Sequence, residues 1–431
     1  MWSLPARVAL SGLCLALAAC TAGNSAEQPT ADDGARPSRS EPSQHRSHEP
    51  EKSPTTTPTP TSPTAPTTKA PPDRPRKRAG AALACARRQL SGMDQRTRAG
   101  QLVMIGVPAD SDVVPEVAVE AIGDLGIGGV ILTGRTAVSL SEVRKLTRTL
   151  QALAAATESG VRLEVSVDQE GGQVQALSGP GFSPIPSALD QGRMSTTELR
   201  RSARGWGSEL ARAGVTLDLA PVVDVVPRGT VNEPIGAYDR QFGNTPNTVA
   251  IAAAAFVRGM LAADVATSIK HFPGLGRASG NTDTSAGVVD SVTTRSDPLL
   301  RPFAAGIRAG SPYVMLSTAT YTRIDPNAIA AFSSEITSTM LRERLGYRGV
   351  AISDDLGMAQ SVVDVPVGER AVRFVAAGGD VVLTVVPEQA GAMVRALRQR
   401  AAASAGFQRK LDAAAVRVLT RKVRAGLTAC R

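Results

Sequence analysis

Five short stretches of this 431-residue chain collect the side chains that do chemistry on polar molecules. VSVDQEGGQVQAL carries Asp168, Gln169 and Glu170 just before a Gly-Gly turn, and LAPVVDV leads to Asp224. YDRQFGNTP holds Asp239 and Arg240, IKHFPGLG holds Lys270 and His271, and AISDDLGM holds the pair Asp354 and Asp355. Taken singly, each reads equally well as a helix cap, a member of a buried ion pair or, for His271, a satisfied strand-end histidine. Lys270 also fits a Schiff-base lysine of the aldolase kind. Carboxylates and cations at four predicted strand ends and one loop together point to a site for a polar small molecule. No ligand cluster for a metal accompanies them, and no cofactor is expected.

Positioning such residues requires a scaffold of strand ends. Near-continuous apolar runs predict strands at Gln101–Val107, Gly128–Thr133, Leu163–Asp168, Thr216–Val225, Ala266–His271, Tyr313–Ser317, Gly349–Ser353 and Asp380–Val385. Runs of this kind suit strands buried on both faces. Helical patterns lie between them and after the last, as at Leu140–Thr157, Thr196–Ala213, Thr248–Ala263 and Glu388–Ala402. Eight strands with helices over residues 80–431 predict an α/β fold, a (β/α)8 TIM-type barrel whose site sits at the C-terminal strand ends. A doubly wound open sheet is the alternative; the absence of a glycine-rich dinucleotide turn after the first strand weighs against it.

The first 79 residues read differently. Arg7 precedes an apolar run, Val8 to Ala19, that is too short to span a membrane and has the shape of an export signal. Its ending, Leu-Ala-Ala-Cys, resembles a bacterial lipoprotein cleavage box, which implies a signal peptide over 1–19, diacylglycerol on Cys20 and anchoring at the outer face of the cell membrane. Residues 20–79, rich in Pro, Thr and Ser, cannot bury enough apolar surface to order and predict a tether reaching roughly 180 Å if extended. Arg74, Arg76, Lys77 and Arg78 read as its solvated end or as a contact for anionic lipid or wall polymer. Of four cysteines, Cys85 and Cys430 are left near the two ends of the folded part, where an exported protein is expected to join them. The chain carries a net charge of +9 but only 3% aromatic residues, which argues against a base-stacking, nucleic-acid-binding surface. Nothing in the sequence argues for an oligomer, so a monomer is expected.

The segments DQEGGQVQAL, APVVDV, DRQFG, KHFPGLG and SDDLGM resemble those of family 3 glycoside hydrolases. They are most similar to the single-domain β-N-acetylglucosaminidases that act on cell-wall sugars, particularly the actinobacterial lipoproteins. The resemblance spans about residues 95–390, and KHFPG followed by SDD-L-x-M is its specific part. It implies retaining hydrolysis through a covalent glycosyl-enzyme, with Asp354 as the nucleophile. Asp168, Arg240, Lys270 and His271 match positions that hold the sugar, and Asp355 reads as a helix cap. The pattern breaks in KHFPGLGRASGNTDTSAG: Leu275 stands where relatives carry one histidine, and Asn281-Thr282-Asp283 where they carry the Asp-x-His of the general acid/base. Gln173 replaces a frequent arginine. Asp283 is then either the acid/base, wanted about 5–5.5 Å from Asp354, or an orderer of its loop, leaving the proton to another acid such as Glu170 or leaving a protein that only binds glycans. The expected activity is exo-hydrolysis of terminal β-linked N-acetylglucosamine from peptidoglycan fragments. A β-glycoside phosphorylase, a β-glucosidase or a non-catalytic glycan-binding lipoprotein are the alternatives.

Overall fold

The computed structural model describes residues 74–111 and 113–430; the signal peptide, Cys20 and most of the tether lie outside the described residues. Eight parallel strands close a barrel: β1 (Val103–Pro108), β2 (Gly129–Thr133), β3 (Glu164–Val167), β4 (Leu217–Asp218), β5 (Ala266–Phe272), β6 (Tyr313–Leu316), β7 (Val350–Asp355) and β8 (Val381–Thr384). Each pairs with its sequence neighbours, and β1 closes the ring on β8 through Val103 opposite Val382. All seven residues of β5 are buried, as are the first five of β1, because barrel interior and helix layer leave neither face to water.

The outer layer consists of Glu116–Leu125, Leu140–Ala155, Thr196–Arg212, Pro246–Leu261, Arg301–Ala309, a π-helical segment at Glu335–Arg344, Val367–Ala377 and Ala390–Ala403. Local chemistry sets their ends. Ser139 and Glu142 form a reciprocal capping box, Ser195 and Thr245 accept from the first turns they cap, and Gly310 and Gly378 end their helices in the left-handed region.

Two expectations are corrected. The fourth strand was expected over Thr216–Val225, but its ladder ends at Asp218: Pro221 has no N–H to give, and beyond it only Val222 bridges β5, opposite Lys270. The tether was expected to run to residue 79, yet a helix, Arg74–Ser91, begins inside it, with Pro75 in its first described turn, where a missing N–H is tolerated, and helix formers after it. The loops above the barrel also hold structure of their own, a ribbon pairing Gln169–Gly171 with Val174–Gln175 and a sheet of Val289–Asp290, Thr320–Tyr321 and Asp325–Ile329.

Helix Arg74–Ser91 packs on the last helix, Ala405–Arg424, and Cys85 is bonded to Cys430 with Cα atoms 5.4 Å apart across a separation of 345 residues. The last helix also plugs the N-terminal end of the barrel. Arg421 reaches Glu164 at 3.1 Å, Tyr313 donates to the same carboxylate at 2.8 Å, and buried Lys422 donates to Gln101 at 2.7 Å. Beside them Asp380, fully buried, accepts from Arg342 at 2.5 Å and Arg417 at 2.7 Å. No helix among the described residues is long and apolar enough to cross a membrane.

Candidate active site

The opposite, C-terminal end of the barrel carries the residues singled out in the sequence. At the end of β3 the chain turns into the Gln169–Gly171 ribbon. Gly171 sits at φ +100°, and a Cβ there would come 2.3 Å from the Pro186 carbonyl oxygen, so only glycine lets the ribbon lie this close. The Gln169 amide clamps both backbone groups of Leu177 sides-on, its Nε2 to the carbonyl at 2.8 Å and its Oε1 from the N–H at 3.0 Å. Gln191 donates to the Glu170 carbonyl at 2.8 Å. The ribbon thereby points Glu170 into the barrel mouth.

Glu170 is buried and accepts a two-pronged bond from Arg240, at 2.8 Å and 2.7 Å, and lies 2.7 Å from Lys270 Nζ. Burial alone would raise its pKa, but the two cations outweigh that and hold it down to about 2. Lys270 also donates to Asp168 at 2.5 Å. Burial opposes the Lys270 charge, and Asp168 and Glu170 more than restore it, so its pKa lies above the usual lysine value; Arg240 is raised in the same way. Asp168 remains 36% exposed, which makes it the open edge of an otherwise sealed cluster.

His271 is the next residue on β5. Asp224, with no exposed surface, accepts its backbone N–H at 3.1 Å, its ring Nδ1 at 2.7 Å and the Leu275 N–H at 2.9 Å. A carboxylate only accepts, so Nδ1 carries the proton and Nε2 is left for the site. Leu275 is buried, its carbonyl held by Asn232 at 2.8 Å. Gly276 fits because a Cβ there would meet the Val225 carbonyl at 1.8 Å.

Asp354, the penultimate residue of β7, is half-buried. Burial raises its pKa most; His271 pulls it down, Asp283 pushes it up, and Lys270 pulls it down again. These interactions bring Asp354 together with residues from β5 and from the loop after it. Asp283 itself is exposed, and its side chain has no hydrogen-bond partner among the described residues. Its loop is tied to the segment after β7, since Gln360 and Ser361 donate to the Asp283 and Thr282 carbonyls, each at 3.3 Å. Asp355 does not cap a helix as expected. Its two oxygens accept from Gly357, Met358 and Val385 at 2.8, 2.9 and 3.0 Å, bracing the turn after β7 against β8. Gln173 is exposed, and Asp239 lies on the surface at φ +53°.

Thus Asp168, Arg240, Lys270, His271, Asp354 and Asp283 share one end of the barrel, while Cys85 and Cys430 lie with the terminal helices. Glu170 is corrected as a proton donor: doubly paired and held at about 2, it has no proton to give at neutral pH. Sequence reasoning missed Asp218, buried at the end of β4, where it accepts the Gln169 N–H at 3.1 Å and leaves Oδ2 without a partner among the described residues. Burial raises its pKa well above the usual value, against the pull of Lys270. Its position at a strand end was the available signal, hidden because that strand was read seven residues too long. Among the described residues no group of three His, Cys, Asp or Glu could hold a metal.

Residues 95–421 match the glycosyl hydrolase family 3 N terminal domain. A β-hexosaminidase of Stenotrophomonas maltophilia (strain R551-3) is 34% identical over 285 residues, 64% of this chain and 81% of the relative. Among solved structures, the β-N-acetylhexosaminidase of Beutenbergia cavernae DSM 12333 is 46% identical, with a TM-score of 0.75 over 77% of this chain and 99% of that one. A family 3 β-N-acetylglucosaminidase of Paenibacillus sp. str. FPU-7 is 32% identical, with a TM-score of 0.71 over 78% and 64%. By its closed barrel, its mouth of carboxylates and cations, and these matches, the chain belongs to glycosyl hydrolase family 3 and is a glycoside hydrolase.

Proposed function

We propose that the protein is an exo-acting, retaining β-N-acetylhexosaminidase that releases terminal β-linked N-acetylglucosamine from cell-wall fragments. The observation that carries this reading is Asp354 at the end of β7, within electrostatic reach of His271, Lys270 and Asp283. Asp354 attacks the anomeric carbon. The leaving oxygen departs with a proton from Asp283, and Asp283 then takes a proton from the water that releases the sugar. Asp168, Lys270 and Arg240 grip the sugar hydroxyls, with Glu170 fixing both cations. His271, oriented by Asp224, lies within electrostatic reach of the nucleophile.

The activities named for the Stenotrophomonas and Beutenbergia relatives support the acetylhexosaminide over a glucoside. We further propose that the protein acts as a monomer at the outer face of the cell membrane, exported by residues 1–19, anchored through lipidated Cys20 and presented by the tether that follows. Release of 4-nitrophenol from its β-N-acetylglucosaminide and its β-glucoside, with and without phosphate, tests the reaction. The acetylglucosaminide is expected to be preferred, with no response to phosphate. Preference for the glucoside makes it a glucosidase, and stimulation by phosphate makes it a phosphorylase. Cys20→Ala is expected to move the protein from the membrane fraction to the soluble one.

A further inference from the structure

On the flank of the barrel, the helices after β3, β4 and β5 enclose a groove of about 810 Å³. Arg200, Arg201 and Arg204 of Thr196–Arg212, Arg258 of Pro246–Leu261 and Arg308 of Arg301–Ala309 all line it. All five are exposed, and none forms an ion pair among the described residues, whereas Arg193, Arg295 and Arg373 elsewhere on the surface each have a carboxylate partner. No Asp or Glu lines the groove.

The packing that makes the groove also concentrates its charge. Gly259 lies where the first two helices cross; a Cβ there would meet the Arg200 carbonyl at 2.5 Å and the Ala203 Cβ at 2.6 Å. Its bare backbone lets the helices approach until Arg258 stands beside Arg200 and Arg204. Arg200 and Arg204 are one turn apart on the same face, an arrangement that costs helix stability through like-charge repulsion. Thr196, Thr197 and Asn247, in the first turns of two of the helices, also line the groove, while Arg258 and Arg308 stand in the last turns of Pro246–Leu261 and Arg301–Ala309; helix ends of both signs border it, and its positive charge is that of the arginines.

We propose that this groove is a binding site for a linear phosphodiester polymer of the poly(polyol phosphate) type, separate from the hydrolytic mouth. Guanidinium forks suit phosphate oxygens, and arginines one helical turn apart, about 5–6 Å, match successive phosphates of an extended chain. A concave groove admits a chain better than a flat lipid surface. No aromatic residue lines it, so it lacks the stacking platforms by which single-stranded nucleic acids are held; its floor is alanine with exposed Ile251. Helix Ala405–Arg424, on which the N-terminal helix packs, follows β8, across the ring from β4, so the chain enters on the opposite flank. The groove would hold the enzyme along an anionic wall polymer while the mouth works on glycan ends.

The test measures binding of the full-length Cys20→Ala protein, which carries no lipid anchor, to poly(glycerol phosphate), to an oligothymidylate with the same number of phosphates and to phosphatidylglycerol vesicles, across a salt series. The first is expected to bind most tightly. R200Q/R204Q/R258Q is expected to weaken that binding tenfold or more and to flatten the salt slope by about 2, at about 0.7 per lost contact. R193Q/R295Q/R373Q, with the same loss of charge elsewhere, is expected to leave binding within twofold. Release of 4-nitrophenol by both variants is expected to match the parent, showing that each is folded. Equal weakening by the two triple variants, no binding of the polymer, or equal or tighter binding of the oligonucleotide or the vesicles overturns the proposal.

Discussion

Charge is buried at both ends of this barrel, and the two ends use it differently. At the base, Asp380 with Arg342 and Arg417, and Glu164 with Tyr313 and Arg421, are closed by the last helix. At the mouth, Glu170 is equally buried and equally paired, but its cations also reach Asp168, which remains 36% exposed beside half-buried Asp354. The base spends its charges on each other; the mouth holds some back for a ligand. Both are networks that punish removal of one partner, yet only the mouth is built to exchange partners.

The sharpest separation comes from Asp354→Ala, which is expected to lower kcat/KM for the nitrophenyl acetylglucosaminide by about 10⁴-fold or more while leaving the thermal midpoint unchanged or raised. A variant keeping a tenth of the parent rate would remove Asp354 as the nucleophile.

A matched pair of substitutions then compares the two networks directly. Arg240→Gln leaves Glu170 with Lys270 alone and is expected to cost about 10²-fold in kcat/KM as the sugar loses a fixed donor. Asp380→Asn strands Arg342 and Arg417 and is expected to cost about 2–3 kcal/mol of stability in urea unfolding, reduced from the fully buried case because Arg417 is 30% exposed. Its kcat/KM should stay within about twofold. A large catalytic loss in Asp380→Asn would erase the distinction between the ends.

The base should also show a pH signature of its own. Burial pushes the Lys422 ammonium down to about 7, against the pull of Glu164. Unfolded, the same lysine titrates near 10.4. Between these values the unfolded chain holds the extra proton, so stability rises with pH from about 7 to about 10 and is flat below that window as far as this group is concerned. Lys422→Met is expected to flatten that rise in urea midpoints taken between pH 6 and 10.

The smallest effect belongs to the mouth. Asp354 must be ionised to attack, and the Asp283 carboxylate is one of the groups raising its pKa. Asp283→Asn is therefore expected to move the acid limb of kcat/KM to lower pH, measured on the nitrophenyl substrate, whose leaving group needs little protonation. An unmoved limb would mean that the two carboxylates do not feel each other.

The base was much harder to read than the mouth. Lys422 and Arg421 sit in a helix whose last turn, Arg421, Lys422 and Arg424, looks like an ordinary solvated end, and nothing local distinguishes the lysine that turns inward. The motif glycines, by contrast, advertise close approaches that Gly171 and Gly276 then make. The loop after β5 stays between these cases: its departure from the relatives was visible, but the proximity of Asp283 to Asp354 was not.

The sequence by itself determined the eight apolar runs, the helices between them and the identity of the residues at the strand ends, because periodicity and capping are set by near neighbours along the chain. It also carried the family resemblance, on five motifs. Tertiary structure alone decided that the fourth ladder ends at Asp218, that Asp224 fixes His271 across 47 residues, that Glu170 is a doubly held anchor rather than an acid, and that Lys422 meets Gln101 across 321. Those outcomes depend on closing the ring, which sets distances and removes water from groups far apart in the chain.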